Sequence, residues 1–284
     1  MSRQPVHQIV SEPATSLRPV NISLRIAVAL AATMLPLTAC GAADDPDKAE
    51  STPASSPGGT VPQSEETQET EEAAVEPLPF NASGLLGGTA RPRFNDGESG
   101  EVSVVQVGPL DPEQGILLFA FRNNTAEGIS HIDWTATARS GGSIVGTGSS
   151  QGTIPAQVAP GEVGLGYIFF ENAGAIPGNA EYEFSVETSP VDTSSYNTAP
   201  LTVTEVNLVG QAIVGSATNQ TGASTEGPYS VAMYCFEGND LAWYTSSFTE
   251  QDGPIEDGGT ATFTVDLYGD TCAKYVIGVD GYFS

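Results

Sequence analysis

The chain has 284 residues, of which 39% are hydrophobic, so it is long and apolar enough for two ordinary globular domains. Its 35 acidic residues far outnumber its 9 basic residues and give a formal net charge of −26. This balance excludes nucleic acid as an expected partner and excludes attachment to anionic lipid through a basic patch, because both depend on clustered Lys and Arg.

The first predicted element is a signal peptide at residues 1–39. Three arginines and one glutamate precede an apolar run at residues 26–35. As a helix this run would be about 15 Å long, which is half of the ~30 Å hydrocarbon core of a membrane. The run therefore fits the hydrophobic region of a secretory signal and is too short for a membrane span.

A motif for lipid attachment follows the apolar run. Leu37-Thr38-Ala39-Cys40 resembles the lipobox of bacterial lipoproteins, in which an aliphatic and two small residues precede a cysteine. The resemblance implies that Cys40 becomes the first residue of the mature chain and carries a diacylglyceryl group. The expected location is then the outer face of the cytoplasmic membrane, held by acyl chains whose buried methylenes contribute about 0.8 kcal/mol each. The alternative is an ordinary signal peptide that ends beside a buried or free cysteine.

Residues 40–79 form a predicted stalk. Acids, Pro, Ser, Thr and Gly dominate it, and its apolar residues follow the period of neither a strand nor a helix. Such a segment buries too little apolar surface to offset its ordering entropy. We therefore expect a disordered acidic tether between the membrane and the following domains. A binding role for the acidic run 64–72 is the alternative.

From about residue 100 the chain contains two copies of one pattern, offset by about 96 to 100 residues. Short alternating runs rich in Val, Ile, Phe and Tyr are separated by Gly, Pro, Asn and Asp, which is typical of strands and turns. Residues 116–125 correspond to 211–221, and both runs end in Asn-x-Thr. About seven strands per copy predict an all-β chain with two tandem immunoglobulin-like β-sandwich domains, at 98–190 and 198–284.

Alternation within one strand of each copy predicts core residues, since every second side chain of a strand lies on the same face. The residues expected on the core face are Ile132, Trp134, Ala136, Val231, Met233 and Cys235. We interpret Trp134 as a core residue and not as a sugar-binding platform. Trp243 lies beyond a Gly-Asn turn and is the better candidate for an exposed tryptophan.

The second copy resembles a known family. Residues 263–270, FTVDLYGD, resemble the Phe-x-Leu-Tyr-Asp motif of FxLyD domains, with Val265 in the place of the usual leucine. Residues 215–219 and 234–238 are also similar to the glycine-to-asparagine strand and a turn of that family. The resemblance covers residues 200–284. It implies an Ig-like fold in a bacterial extracytoplasmic protein, and the family brings no catalytic residues.

The cysteine count predicts one disulfide. Three cysteines leave one odd in an exported chain, and Cys40 is assigned to lipid. Cys235 and Cys272 are therefore predicted to be joined, which would contribute about 4 kcal/mol in the chain-entropy account. A pair of free buried thiols is the alternative.

One catalytic motif occurs in the sequence. Residues 148–152, GSSQG, satisfy the G-x-S-x-G pattern of the hydrolase nucleophile elbow. The elbow requires a helix after the serine and a histidine downstream, but His131 is the one histidine after Cys40 and it precedes Ser150. We interpret the motif as part of a Gly/Ser-rich hairpin. A hydrolase that uses Ser150 or a carboxylate pair is the third functional hypothesis.

Calcium is the one metal for which the sequence offers a candidate site, because oxygen ligands are plentiful and His and Cys ligands are scarce. The candidate ligands lie in one predicted loop and are Glu250, Asp252, Glu256 and Asp257. Their spacing is not that of an EF-hand, and a solvated hairpin is the alternative interpretation. The sequence also has no P-loop or dinucleotide-binding glycine motif, so no cofactor is expected.

Two tripeptides, Asn123-Asn124-Thr125 and Asn219-Gln220-Thr221, match glycosylation sequons, and we interpret them as turns. The function predicted from these features is a non-enzymatic binding or scaffolding role at the bacterial cell envelope. The expected partners are the membrane, through the lipid, and an unidentified envelope protein or polysaccharide bound at loops or strand edges. The second hypothesis is an anchored small-ligand or calcium-binding accessory protein.

Overall fold

The computed structural model describes residues 75–284, so the predicted signal peptide, Cys40 and most of the predicted stalk lie outside the described residues. The described part consists of thirteen strands and one 3₁₀ turn, Ala173–Ala175. The described residues contain no helix that is long and apolar enough to cross a membrane. The strands are β1 (Gly87–Gly88), β2 (Val102–Asp111), β3 (Ile116–Asn123), β4 (Ile129–Ser140), β5 (Ser143–Ile154), β6 (Val163–Phe169), β7 (Glu181–Pro190), β8 (Thr198–Val209), β9 (Ala212–Thr218), β10 (Thr225–Glu237), β11 (Asp240–Phe248), β12 (Thr260–Asp266) and β13 (Tyr275–Phe283).

The first sandwich is a curled antiparallel sheet with the strand order β2-β3-β6-β5-β4-β7. Alternation in β4 buries Ile132, Trp134 and Ala136, as predicted. The ring of Trp134 lies 5.4 Å from the rings of both Phe119 and Phe121, measured between centroids. The inner face of the sheet therefore closes on an aromatic core.

Two glycines in β6 leave room for this aromatic core. A Cβ atom on Gly164 would overlap the ring of Phe121, and one on Gly166 would lie 2.8 Å from Cζ of Phe119. Atoms that close cannot be accommodated in a close-packed interior without displacing the rings. The small residues of VGLGYIF are thus required on the inner face of this strand.

The second sandwich contains the same two groups of three paired strands as the first, but a different strand pair joins the two groups. The groups β8-β9-β12 and β11-β10-β13 correspond to β2-β3-β6 and β5-β4-β7. In the first copy β5 pairs with β6 to join the two groups, whereas in the second copy β8 pairs with β13. Each copy has six strands, one fewer than the sequence predicts. The predicted all-β class with two tandem sandwiches is confirmed.

The segment before the first sandwich connects both sandwiches. The amide of Leu78 donates to the carbonyl of Gly161, 2.9 Å away, in the first sandwich. The chain then crosses to the second, where β1 pairs with Val276 and Ile277 of β13. Because β8 pairs only with the end of β13 that begins at Val279, β1 occupies the remainder of that edge. Leu78 belongs to the predicted stalk, 40–79, but is bonded to the first sandwich, and the sequence predicts no element for residues 80–97.

A third hydrophobic cluster, which we call the interdomain cluster, lies between the two sandwiches. Its buried members are Leu86, Ala90, Val105, Leu118, Ala120, Ile154, Val163, Leu165, Tyr234, Phe236, Leu241 and Val276. Residues of β3 thus contribute both to this cluster and to the core of the first sandwich. The described residues accordingly belong to one compact unit.

Two buried asparagines show the repeat at atomic detail. Nδ2 of Asn219 donates to the carbonyls of Ala223 and Ile255, each 2.8 Å away. Its Oδ1 accepts from the amide and the hydroxyl of Thr221, at 3.1 and 2.7 Å. Asn123 makes the same four bonds: its Nδ2 donates to the carbonyls of Glu127 and Val158, and its Oδ1 accepts from the amide and the hydroxyl of Thr125. Both asparagines are fully buried, which supports the interpretation of the sequons as turns.

The predicted disulfide is present. Cys235, in β10, is bonded to Cys272, in the loop before β13, with a Cα–Cα distance of 5.7 Å. Both residues belong to the core of the second sandwich, and the half-buried ring of Trp243 packs against this core. Trp134 is buried and Trp243 is more accessible, as the sequence predicts.

Candidate functional site

Ser150 has a structural partner and not a catalytic one. It lies within β5, which continues to Ile154, so no turn into a helix follows it. Its Oγ accepts a hydrogen bond from the amide of Trp134 at 2.9 Å. The Nε2 atom of His131 instead lies 2.6 Å from Oδ1 of Asn197. The arrangement of a nucleophile elbow is therefore absent at Ser150.

The four acids of the calcium candidate do not converge. Oε2 of Glu250 accepts from the hydroxyl of Thr262 at 3.1 Å, and Oδ1 of Asp257 accepts from the amide of Gly222 at 3.0 Å. Within residues 75–284 no group of three or more His, Cys, Asp or Glu side chains is placed to hold a metal ion. The structure thus does not assemble Glu250, Asp252, Glu256 and Asp257 into a site.

A cleft between the two sandwiches offers a stronger candidate. Its floor is the outer face of β10, β11 and β13, and its walls come from β4, β5 and β6. It has two lobes of about 360 and 220 Å³. The residues that line both lobes are Gln151, Gly152, Thr153, Ser230, Phe248 and Asp280. We refer to these two lobes as the Asp280 cleft.

Strand register explains why these side chains meet. Ser230 of β10 pairs with Asp280 of β13 on one side and with Phe248 of β11 on the other. On β13, Gly278 precedes Asp280 on the same face, because side chains two residues apart share a face. A Cβ atom on Gly278 would lie 2.9 Å from Cβ of Ile154 in the first sandwich. The two sandwiches are therefore in direct contact next to the cleft.

Asp280 is the buried charge of the cleft. Only 9% of the residue is exposed, and Oδ1 accepts a hydrogen bond from the amide of Ala156, 3.1 Å away. Among the described residues, no arginine or lysine lines either lobe. Burial raises the pKa of the Asp280 carboxyl to about 7, against the smaller lowering effect of the Ala156 hydrogen bond. At neutral pH the carboxyl therefore populates both protonation states.

Aromatic side chains surround this carboxyl. The ring of Tyr244 lies 4.6 Å from that of Tyr167 and 5.0 Å from that of Tyr234, measured between centroids. Burial raises the pKa of Tyr244 to about 12 and raises the pKa of Tyr234 well above its usual value, so both hydroxyls stay neutral. Two more rings lie at the solvent edge: Phe248 is 65% exposed and Tyr282 is 42% exposed. The cleft thus combines a buried acid, Asp280, and an exposed acid, Asp133, with a mixed lining of aromatic and polar side chains.

The raised pKa of Asp280 predicts a stability that falls as pH rises. The folded state holds the carboxyl proton more tightly than the unfolded chain, so the stabilisation is complete at low pH and is lost as pH rises through the folded pKa. Between about pH 5 and about pH 8 we expect the free energy of unfolding to fall by about 2.5 kcal/mol from this group. Urea denaturation of the wild type and of Asp280→Asn across this range measures the effect. The variant is expected to lack this pH-dependent loss. If the free energy of unfolding fell equally with pH in both proteins, the raised pKa of Asp280 would be contradicted.

Sequence analysis does not identify this site. The available signal is Asp280 itself, a single acid in the otherwise uncharged strand YVIGVDGYF. A lone acid in such a strand indicates a buried or functional carboxyl. Its neighbours across the cleft, Gln151, Gly152 and Thr153, come from the other sandwich, and their proximity depends on how the two domains pack.

The comparisons with known proteins add no family or function. The chain matches no protein-family model, and a comparison with the curated proteins finds no similar sequence. The resemblance of residues 200–284 to FxLyD domains therefore stays a prediction from its motifs.

Proposed function

We propose that the chain is a lipid-anchored extracytoplasmic protein with a non-enzymatic binding role at the bacterial cell envelope. The observation that carries the binding role is the Asp280 cleft, which both sandwiches build together. Ligand pockets are concave sites in which placed polar groups accompany apolar and aromatic side chains, and the cleft combines Asp280, Ser230 and Thr153 with aromatic rings. The chain then acts as a tethered receptor, with its binding site between its two domains.

Domain packing supports this role. The interdomain cluster and the segment that carries β1 hold the two sandwiches in one unit, so the cleft exists before any ligand arrives. A preformed site avoids the entropy cost of ordering its walls during binding. This property favours a binding role for the cleft over a role for the 250–257 loop, in which Glu250 and Asp257 have separate partners.

The anchor is proposed from the lipobox. Cys40 lies 35 residues before the first described residue, Val75, and the intervening residues are the predicted acidic stalk. A charged chain of this length self-repels and extends, which would keep the cleft accessible above the membrane surface. Lipid at Cys40 would thus confine the receptor to the envelope without placing the sandwiches in the bilayer.

Replacement of Cys40 tests the location. We expect Cys40→Ala to move the protein from the membrane fraction and the detergent phase to the aqueous phase, because the acyl chains are the proposed anchor. Immunoblotting of fractions after detergent phase separation measures this change. Ser51→Ala, in the same predicted stalk, is the matched control and is expected to stay with the membrane. Continued membrane association of Cys40→Ala would refute the lipid assignment.

A further inference from the structure

The Asp280 carboxyl has one hydrogen-bond donor from the protein and no cationic partner. Ala156 is the donor, and it reaches only Oδ1. The one ion pair found among residues 75–284 joins Arg139 to Glu183 at 2.8 Å, and neither residue lines the cleft. Buried charged groups in proteins are normally paired, because desolvation without a partner is costly. The carboxyl thus has unused capacity to pair with a cation that enters the cleft.

We infer that the Asp280 cleft binds small organic cations, with the ligand's protonated nitrogen at the Asp280 carboxylate and its apolar part against Phe248 and Tyr282. This inference deepens the proposed binding function and rests on it. The ligand class is a primary amine or another protonated organic nitrogen attached to a small apolar group.

The surroundings of the carboxyl suit such a ligand. The larger lobe, of about 360 Å³, holds a molecule the size of an aromatic amine with its ring inside. Phe248 and Tyr282 lie at the edge with their rings accessible, so they can pack against the apolar part of the ligand. The hydroxyl of Thr198, which also lines this lobe, is buried without a hydrogen-bond partner and can accept from an ammonium group.

Charges around Asp280 favour a cation over an anion. Besides Asp280, the titratable groups that face the cleft are Tyr234 of β10, Tyr244 of β11, Tyr167 of β6, Tyr282 of β13, and His131 and Asp133 of β4. Burial raises the pKa of Tyr167, Tyr234 and Tyr244, so their hydroxyls are neutral donors. Asp133 adds negative potential, and the net charge of −26 raises the local concentration of cations. Benzoate is therefore expected to bind worst among matched probes.

Three probes of equal size separate charge from shape: benzylamine, benzyl alcohol and benzoate. Titration calorimetry on the full chain is expected to give benzylamine an affinity at least about tenfold higher than that of benzyl alcohol, since a charge-assisted bond replaces a neutral one. The affinity for benzylamine is expected to rise between about pH 6 and about pH 8, as the Asp280 carboxyl loses its proton. Benzyl alcohol is expected to show no such rise.

Four variants locate the interaction. Asp280→Asn, which keeps the shape of the side chain, is expected to remove the preference for the amine and its pH dependence. Asp133→Asn, at the cleft wall, is expected to change the affinity by less than about threefold, because an exposed charge acts through screened solvent. Phe248→Ala replaces an exposed ring, so the fold is retained, and is expected to weaken benzylamine binding several-fold through the lost contact with the ligand's ring. Ser230→Phe would place a ring on the floor of the Asp280 cleft, so it is expected to abolish binding of every probe.

The outcomes distinguish this inference from the proposed function. Binding of benzyl alcohol and benzylamine with equal affinity, lost in Ser230→Phe, would overturn the cation inference and leave the binding role standing. An amine preference that persists in Asp280→Asn would also overturn it. Absence of saturable binding for all three probes up to about 10 mM, a range that reaches very weak fragments, would contradict both the inference and the binding role. The location test with Cys40→Ala is independent of all of these results.

Discussion

Replacing Asn219 with alanine is expected to lower the free energy of unfolding by about 4 kcal/mol. The side chain makes four hydrogen bonds in a fully buried position, two to carbonyls and two to Thr221. Alanine would remove all four bonds, each of which contributes about 1 kcal/mol, and would leave the amide of Thr221 without its acceptor. The two carbonyls keep donors from Thr221 and Thr225. Urea denaturation followed by tryptophan fluorescence measures the loss.

Asn207→Ala provides the matched control for this experiment. Asn207 is exposed and bonds only to Glu205, so its loss is expected to change stability by less than about 0.5 kcal/mol. Asn123→Ala is expected to destabilise as strongly as Asn219→Ala, because the two asparagines make equivalent bonds. Equal stability of Asn219→Ala and Asn207→Ala would show that the turns do not depend on the buried amide.

Replacing Leu165 with glutamate is expected to separate the two sandwiches at a cost of about 3 to 5 kcal/mol. Leu165 lies on the outer face of β6, is fully buried and belongs to the interdomain cluster. A carboxylate at this position would lose its hydration without gaining a partner. Differential scanning calorimetry is expected to show one cooperative transition for the wild type and two for the variant.

Leu208→Glu controls for the chemistry of this substitution. Leu208 is 56% exposed near the tip of the β8–β9 hairpin, so a carboxylate there stays hydrated. We expect this variant to keep the single transition of the wild type, with a stability change below about 0.5 kcal/mol. Two transitions in the wild type itself would contradict the description of the sandwiches as one cooperative unit.

The fold of each sandwich follows from local pattern. Alternation in HIDWTATA buries Ile132 and Trp134, because a period of two fixes which side chains share a face. The Asn-x-Thr signal at the end of β3 and β9 marks equivalent turns, since a buried asparagine can satisfy the backbone groups of a turn. The number of cysteines also predicts the Cys235–Cys272 bond. This prediction needs only the expectation that the chain is exported and that Cys40 carries the lipid.

The packing of one sandwich on the other does not follow from local pattern. The run ILLFAF of β3 is apolar without alternation, which indicates a strand buried on both faces but does not identify what covers its second face. That face packs in the interdomain cluster against residues from elsewhere in the chain, among them Leu86, Tyr234 and Leu241. Directly after Leu86 comes β1, a pair of glycines whose sequence has no strand pattern. Gly88 has a positive φ of 108°, and a side chain there would collide with the carbonyl of Tyr275. Such a contact depends on a distant partner, which local pattern does not reveal.

The central claim is that a ligand binds between the two sandwiches at Asp280. Its most direct test is the backbone amide of Ala156, which donates to the Asp280 carboxyl across the domain boundary. In ¹H–¹⁵N correlation spectra recorded during a benzylamine titration, we expect the Ala156 resonance to shift together with those of Gln151 and Ser230, and we expect Asp280→Asn to abolish the Ala156 shift. Unmoved resonances at these three residues, with shifts confined to the 250–257 loop, would contradict the claim.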